Sequence, residues 1–216
     1  MLLQVNNIAK YYGETHILED VSFTLDQGES VAIVAPSGAG KSTLLSIVGL
    51  LLEPSKGEVL FNGVDVLALS DSEKATYRAE EIGFLFQHTQ LIGSLRAWEN
   101  AALAADFAKS AQAKLKDQEA TQRAKDLLEH FGLGERINYF PHQLSIGQKR
   151  RIATARALLM NPKLIIADEP TNDLDAENAL LVTEALFARV KTGEAGLLYA
   201  THDRELAAKA DKTLQL

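Results

Sequence analysis

Nine residues constrain this chain more than any others: Ala35-Pro36-Ser37-Gly38-Ala39-Gly40-Lys41-Ser42-Thr43. They lie between Glu29–Val34, a run rich in β-branched residues that reads as a buried strand, and an apolar-periodic run from Lys41 to Leu52 that reads as a helix. A strand that turns into a helix over small residues leaves successive backbone N–H groups open and places the positive end of a helix dipole behind them. Such a loop cradles phosphate. Ser37, Gly38, Ala39 and Gly40 supply the backbone donors, Lys41 reaches the β and γ oxygens, Ser42 offers an oxygen to Mg²⁺ and Thr43 lies near the α-phosphate. Ala35 replaces the first glycine of the usual pattern, which its small side chain permits if φ is negative.

A second motif, Leu164-Ile165-Ile166-Ala167-Asp168-Glu169-Pro170, is an apolar strand that delivers two adjacent carboxylates at its end. Beside a phosphate loop, Asp168 is the candidate Mg²⁺ ligand, and Glu169 the candidate base that orients or deprotonates an attacking water. Alone, such a pair is more often a solvated turn.

The rest of the chain arranges itself around these two. Leu2–Ile8 and Ile17–Leu25 flank the turn-like Tyr12-Gly13-Glu14 and read as paired strands at an antiparallel edge. Glu58–Asn62 and Ile82–Phe86 read as strands, the latter ending at Gln87. From Trp98 to Phe131 the composition turns to Ala, Lys, Glu and Leu in helical spacing, predicting two helices separated by the polar stretch Ser110–Lys116. A further helix is expected from Ser145 to about Met160, stopped by Pro162. Lys163–Ala167 and Gly196–Ala200 are strands, with a helix capped by Asp175 and running to about Lys191 between them. Strands alternating with helices predict an α/β fold with a mainly parallel sheet, whose ligands gather at the carboxyl ends of its strands.

At 216 residues the chain is long enough for one α/β core with a small insertion, here placed at roughly 88–160 within a single domain 1–216. A net charge of -7 argues against nucleic-acid binding, and the absence of Cys excludes thiol redox chemistry. The longest apolar run, Leu44–Leu52, contains Ser46 and Gly49 and is far short of a membrane span of about 20 residues. Met1–Ile8 lacks the basic flank and apolar block of a secretory signal. If transport is the task, the pore belongs to another polypeptide.

Leu144-Ser145-Ile146-Gly147-Gln148 opens the helix before the Leu164 strand. Two readings stand. Ser145 and Gln148 can form a capping box, or Ser145 and the first helical N–H groups can form an anion site aimed at a γ-phosphate. Lys149, Arg150 and Arg151 follow within two turns and oppose the dipole, which suggests a nearby anion or acidic partner.

This segment resembles the signature of the ABC ATPases, and with the two earlier motifs the resemblance spans nearly the whole chain. It implies a phosphate-loop NTPase core, an N-terminal antiparallel β layer and an inserted α-helical subdomain. It implies an ATP hydrolase working with Mg²⁺, two ATP molecules being sandwiched between two such domains. An identical copy is expected, with a related second domain left open. By the same resemblance, Tyr12 is similar to the aromatic that stacks on adenine, and Gln87 to the glutamine that senses Mg²⁺ and the transmembrane partner. Ser145, Gly147 and Gln148 match the signature turn, Asp175 the loop that crosses the dimer, and His202 the histidine at the γ-phosphate. Each also has a plainer alternative: an edge aromatic, a polar strand end, a helix cap, a loop histidine. The implied partner is an integral membrane permease, with this subunit cytoplasmic and peripheral on the inner face of the cell membrane.

The segments Phe84–Gln87 and Trp98–Ala101 resemble the lipoprotein-releasing and macrolide-exporting subfamily, which implies powering the export or extraction of a substrate. A regulatory ABC protein that signals without moving a solute is the alternative. Ile146 stands where the signature usually has Gly; a helical φ suits it, but its branched side chain can crowd the facing nucleotide, which implies slower or asymmetric hydrolysis. Relatives usually continue past Leu216 with another short strand.

Overall fold

The computed structural model describes residues 1–108 and 115–216. The chain opens with two long antiparallel strands, β1 (Leu3–Tyr12) and β2 (Thr15–Leu25), paired from Leu3 with Leu25 to Tyr12 with Thr15 through register shifts between Val5 and Tyr11. β3 (Ser30–Val34) then enters the core, the glycine loop follows, and α1 (Lys41–Val48) leaves it. β4 (Lys56–Phe61) and β5 (Val64–Asp65) return to the first sheet, whose order is β2-β1-β4-β5. α2 (Asp71–Glu80) leads into β6 (Ile82–Leu85). Next come α3 (Ala97–Ala102), a 3₁₀ stretch over Leu103–Phe107, α4 (Asp117–His130) and α5 (Ile146–Leu158). β7 (Leu164–Asp168), α6 (Ala176–Lys191), β8 (Gly196–Ala200), α7 (Arg204–Ala207) and β9 (Lys212–Gln215) follow. The second sheet has the order β6-β7-β8-β3-β9, with every neighbouring pair parallel.

This parallel sheet is covered on both faces, as parallel sheets are. Val31, Ile33, Leu164, Ile166 and Leu198 pack with Leu44, Leu45 and Val48 of α1 and with the first sheet. The alternate residues Ala32, Ile165, Ala167, Leu197 and Tyr199 pack against Ile152 and Ala155 of α5 and Val182 and Leu186 of α6. The period of two thus divides the same strands between two cores. One consequence matters for function: the loop after β3, the carboxylates after β7 and His202 after β8 all leave the sheet at its carboxyl edge.

The structure departs from the sequence reading in several places. α1 stops at Val48 rather than Leu52, because Gly49 ends it and Leu50 takes a left-handed φ of 59°. A helix over Asp71–Glu80, which the reading lacked, is capped by Ser70 and Glu73 in a reciprocal box. β9 was also missed, being an edge strand whose Lys212, Thr213 and Gln215 are exposed, so it shows no apolar run. The helices expected between Trp98 and Phe131 are present as α3 and α4, while residues 110–114 of the expected separator lie outside the described residues. Among the described residues no helix is long and apolar enough to cross a membrane.

Candidate nucleotide site

The glycine loop is held in place by the hairpin beneath it. Gly40 has φ 92°, and a Cβ there would lie 2.8 Å from the Ile17 carbonyl oxygen and 2.8 Å from Leu18 Cδ2, so both backbone and space require glycine. Gly40 is also the N-cap of α1 and provides no side chain, which leaves the first-turn amides free for an anion. Gly38 is left-handed too, whereas Ala35 is not, and its methyl is buried without strain. Lys41 is 9% exposed, and its Nζ donates to the carbonyls of Ala35 (2.8 Å) and Pro36 (3.3 Å). Ser37 and Ser42 are exposed at the loop, and Thr43 is half-buried in the first turn.

Two carboxylates meet this loop. Asp168 closes β7 at 8% exposure beside the Ser42 side chain, and its Oδ1 has no hydrogen-bond partner among the described residues. Burial pushes its carboxyl above the ordinary value and the neighbouring Glu169 charge adds to this, while the Ser42 hydroxyl and the Lys41 and Arg150 charges oppose it. Glu169 takes a left-handed φ of 46°, unusual for a residue with a long side chain, and its N–H donates to the Ala200 carbonyl at 3.0 Å. The strained turn aims its carboxylate between two partners. Oε1 lies 3.7 Å from Lys41 Nζ, and Oε2 is 2.8 Å from His202 Nδ1 and accepts the His202 backbone N–H at 3.3 Å. Lys41, Ser42, Asp168, Glu169 and His202, read from three separate segments, therefore form one cluster.

A second group forms where α5 and α6 begin. Ser145 caps α5 in a reciprocal box, one of the two readings open to it: Gln148 N–H donates to Ser145 Oγ (3.2 Å), and Ser145 N–H donates to Gln148 Oε1 (2.9 Å). Asp175 caps α6 by accepting the Asn178 N–H at 2.8 Å. Gly147 is buried against Asn178, and Ile146 beside it is 61% exposed.

Of the cations that follow Ser145, two bond to backbone carbonyls and have carboxylates near them, Asp173 and Asp168 for Arg150 and Glu177 and Asp175 for Arg151. Arg150 is 3% exposed and donates to the carbonyls of Phe86 (2.8 Å) and Gln87 (2.6 Å), and Arg151 donates to Phe131 (2.6 Å). Backbone carbonyls take up only part of these two guanidinium groups, because the Nε of each is buried with no hydrogen-bond partner among the described residues. Arg156 adds bonds to Thr89 (2.8 Å) and Gln90 (3.1 Å), so that α5 clamps the segment after β6 twice. Residue types alone do not reveal these partners. Asn100, completely buried, similarly ties Ile92, Leu95 and Arg96 through their backbone groups.

Gln87 follows β6 with its side chain exposed. Tyr12, 55% exposed, stands at the tip of the hairpin whose Ile17 and Leu18 support Gly40, with Lys10 Nζ 4.9 Å from its ring centre. Between α2, β6 and the end of α5 lies a groove of about 530 Å³, lined among others by Leu51, Arg78, Phe84, Phe86, Phe107 and Arg156.

Comparison with known proteins agrees with this geometry. The family model described as ABC transporter matches residues 18–172. An uncharacterized ABC transporter ATP-binding protein of Methanocaldococcus jannaschii is 40% identical over 219 residues, covering 100% of this chain and 95% of the relative. The lipoprotein-releasing system ATP-binding protein LolD of Colwellia psychrerythraea is 40% identical over 203 residues, covering 94% of this chain and 77% of the relative. Among solved structures, the ATP-binding cassette MJ0796, a dimer in a post-hydrolysis state bound to ADP and Pi, superposes with a TM-score of 0.91 at 34% identity, covering 100% of this chain and 94% of that one. A sheet that gathers a phosphate loop, two carboxylates and a histidine at one edge thus goes with kinship over the full chain, and the protein belongs to the ABC transporter family as an ATP-binding subunit that hydrolyses ATP.

Proposed function

We propose that two copies of this subunit close face to face on two ATP molecules and so power a separate membrane permease. Each ATP is held by the loop amides of Ser37–Gly40 and by Lys41, Ser42, Thr43 and Asp168 of one copy, with Tyr12 stacked on adenine. Ser145, Gly147 and Gln148 of the facing copy close the pocket, and Asp175 crosses the interface. In this reading residues 88–160 act as a helical subdomain within a single cassette, 1–216.

The observation that carries the reading is the position of Glu169 between Lys41 and His202, at 3.7 and 2.8 Å. A water on the free side of the carboxylate is oriented for in-line attack on the γ-phosphorus and gives its proton to Glu169, while the bond from that phosphorus to the bridging oxygen breaks and ADP leaves with the electron pair. Lys41 offsets the charge on the phosphate oxygens, and His202, with Nδ1 committed to Glu169, presents Nε2 outward to the γ-phosphate. The donor set fits Mg²⁺: Asp168 Oδ1 is buried without a partner and the Ser42 hydroxyl adjoins the same carboxylate, both hard oxygens. Ser42 and Asp168 would hold the ion with Gln87 nearby, and when bound it supplies neutralisation of the β and γ oxygens.

The groove beside β6 is the permease contact in this proposal. It combines an apolar floor with the segment that Arg150 and Arg156 clamp, so closure at the signature turn passes directly to it. The subunit is then cytoplasmic and peripheral at the inner face of the membrane. Similarity to the lipoprotein-releasing protein supports export or extraction of an amphipathic substrate. The test is steady-state ATP turnover of Glu169→Gln: loss of about 10²-fold or more is expected of a missing base, and normal turnover removes Glu169 from that role.

A further inference from the structure

Asn178 does more than its place in a helix cap requires. The cap of α6 is complete once the Asn178 backbone N–H reaches Asp175 Oδ1 at 2.8 Å. Yet Asn178 Nδ2 also donates to both oxygens of that carboxylate, Oδ1 at 2.8 Å and Oδ2 at 2.6 Å. These bonds fix the direction of the Asp175 side chain without satisfying any further helical amide. The other face of the same amide lies on Gly147: a Cβ there would stand 2.6 Å from Asn178 Cγ and 2.7 Å from both Nδ2 and Oδ1. Asn178 Oδ1 is buried with no donor among the described residues, an arrangement that costs stability and so points to a geometric role.

We propose that Asn178 is a positioning residue that joins the signature turn, Ser145 to Gly147, and the loop ending at Asp175 into one rigid unit, so that both reach the facing copy together. The inference rests on the dimer reading above and adds to it a residue outside the phosphate loop, the two carboxylates after Ala167 and the signature turn. The hydrogen bonds from Asn178 hold the Asp175 carboxyl below its usual range, so the pair persists as amide and carboxylate at neutral pH.

The experiment uses the full chain carrying Glu169→Gln as parent. Nucleotide affinity of the monomer is read with a fluorescent ATP analogue at low protein concentration, and dimer dissociation by sedimentation with Mg²⁺ and ATP. Asn178→Asp places two carboxylates together and is expected to weaken pairing about tenfold or more while changing monomer affinity less than about twofold. Asn178→Ala keeps the backbone cap and removes only the side-chain link to Asp175, and is expected to weaken pairing about threefold or more with monomer affinity again within about twofold. Pairing of Asn178→Asp equal to the parent, an equal fall in monomer affinity, or pairing of Asn178→Ala equal to the parent would each overturn the inference. If the parent itself does not pair, the dimer reading fails and the inference with it.

Discussion

One oxygen of Glu169, Oε2, receives both the backbone N–H of His202 at 3.3 Å and its ring Nδ1 at 2.8 Å. The backbone contact locates the carboxylate, and the ring contact leaves Nε2 for substrate. His202→Ala keeps the first and removes the second. Turnover is expected to fall about 10²-fold with little change in ATP affinity, as measured by kcat against nucleotide titration. Equal losses in both would mean that the ring positions the loop rather than the reaction.

Gly40→Ala tests the support of the phosphate loop. A methyl there combines a left-handed alanine with contact at 2.8 Å to the Ile17 carbonyl, a fixed backbone atom. The expected cost is about 2–4 kcal/mol in denaturant unfolding, together with loss of nucleotide binding. Alanine at Gly38, where a Cβ meets nothing within 4 Å, carries only the backbone penalty and is expected to cost about half as much.

Asp168 sets function against stability. Its folded-state carboxyl titrates above the ordinary value of 3.8, so the protonated form is the one the fold favours. The sign follows: its contribution is most favourable below the unfolded value and is lost as pH rises through the folded one. Asp168→Asn is therefore expected to raise the Tm of the nucleotide-free protein at pH 7 by about 2–4 °C, with the advantage vanishing near pH 3, while Mg²⁺-dependent turnover is abolished. Calorimetry across pH checks this; a variant less stable at pH 7 contradicts it.

Arg150 spans two carbonyls, and that needs a fork. Arg150→Lys keeps the charge but presents one ammonium to Phe86 and Gln87, leaving a buried acceptor unmatched. A loss of about 1–3 kcal/mol is expected, with faster amide exchange over residues 86–90 than in α6.

The sequence shows some of this well and some of it not at all. The loop from Ala35 to Thr43 and the strand ending at Asp168 are legible because local residue type decides both conformation and chemistry there. His202 and Gln87 are legible only through resemblance, since a lone histidine or glutamine at a strand end carries no pattern. α2 had a readable signal in Ser70 and Glu73, a capping box before a helical run. The arginine clamps, the Asn178 contact with Gly147 and the left-handed φ of Glu169 depend on tertiary neighbours, so no local window contains them. For Lys149, Arg150 and Arg151, charges that oppose a helix dipole suggest a nearby anion or acidic partner; carboxylates do lie near the two arginines, but the carbonyls that they bond come from distant segments.

The central claim is that each ATP pocket is half built by a second copy. Its most direct test is the mass of Glu169→Gln in solution, by light scattering, with Mg²⁺ and saturating ATP and then with ADP. The account predicts about twice the chain mass of 23.5 kDa with ATP and the single-chain mass with ADP. A protein that binds ATP yet keeps the single-chain mass, alone and with its permease, contradicts it.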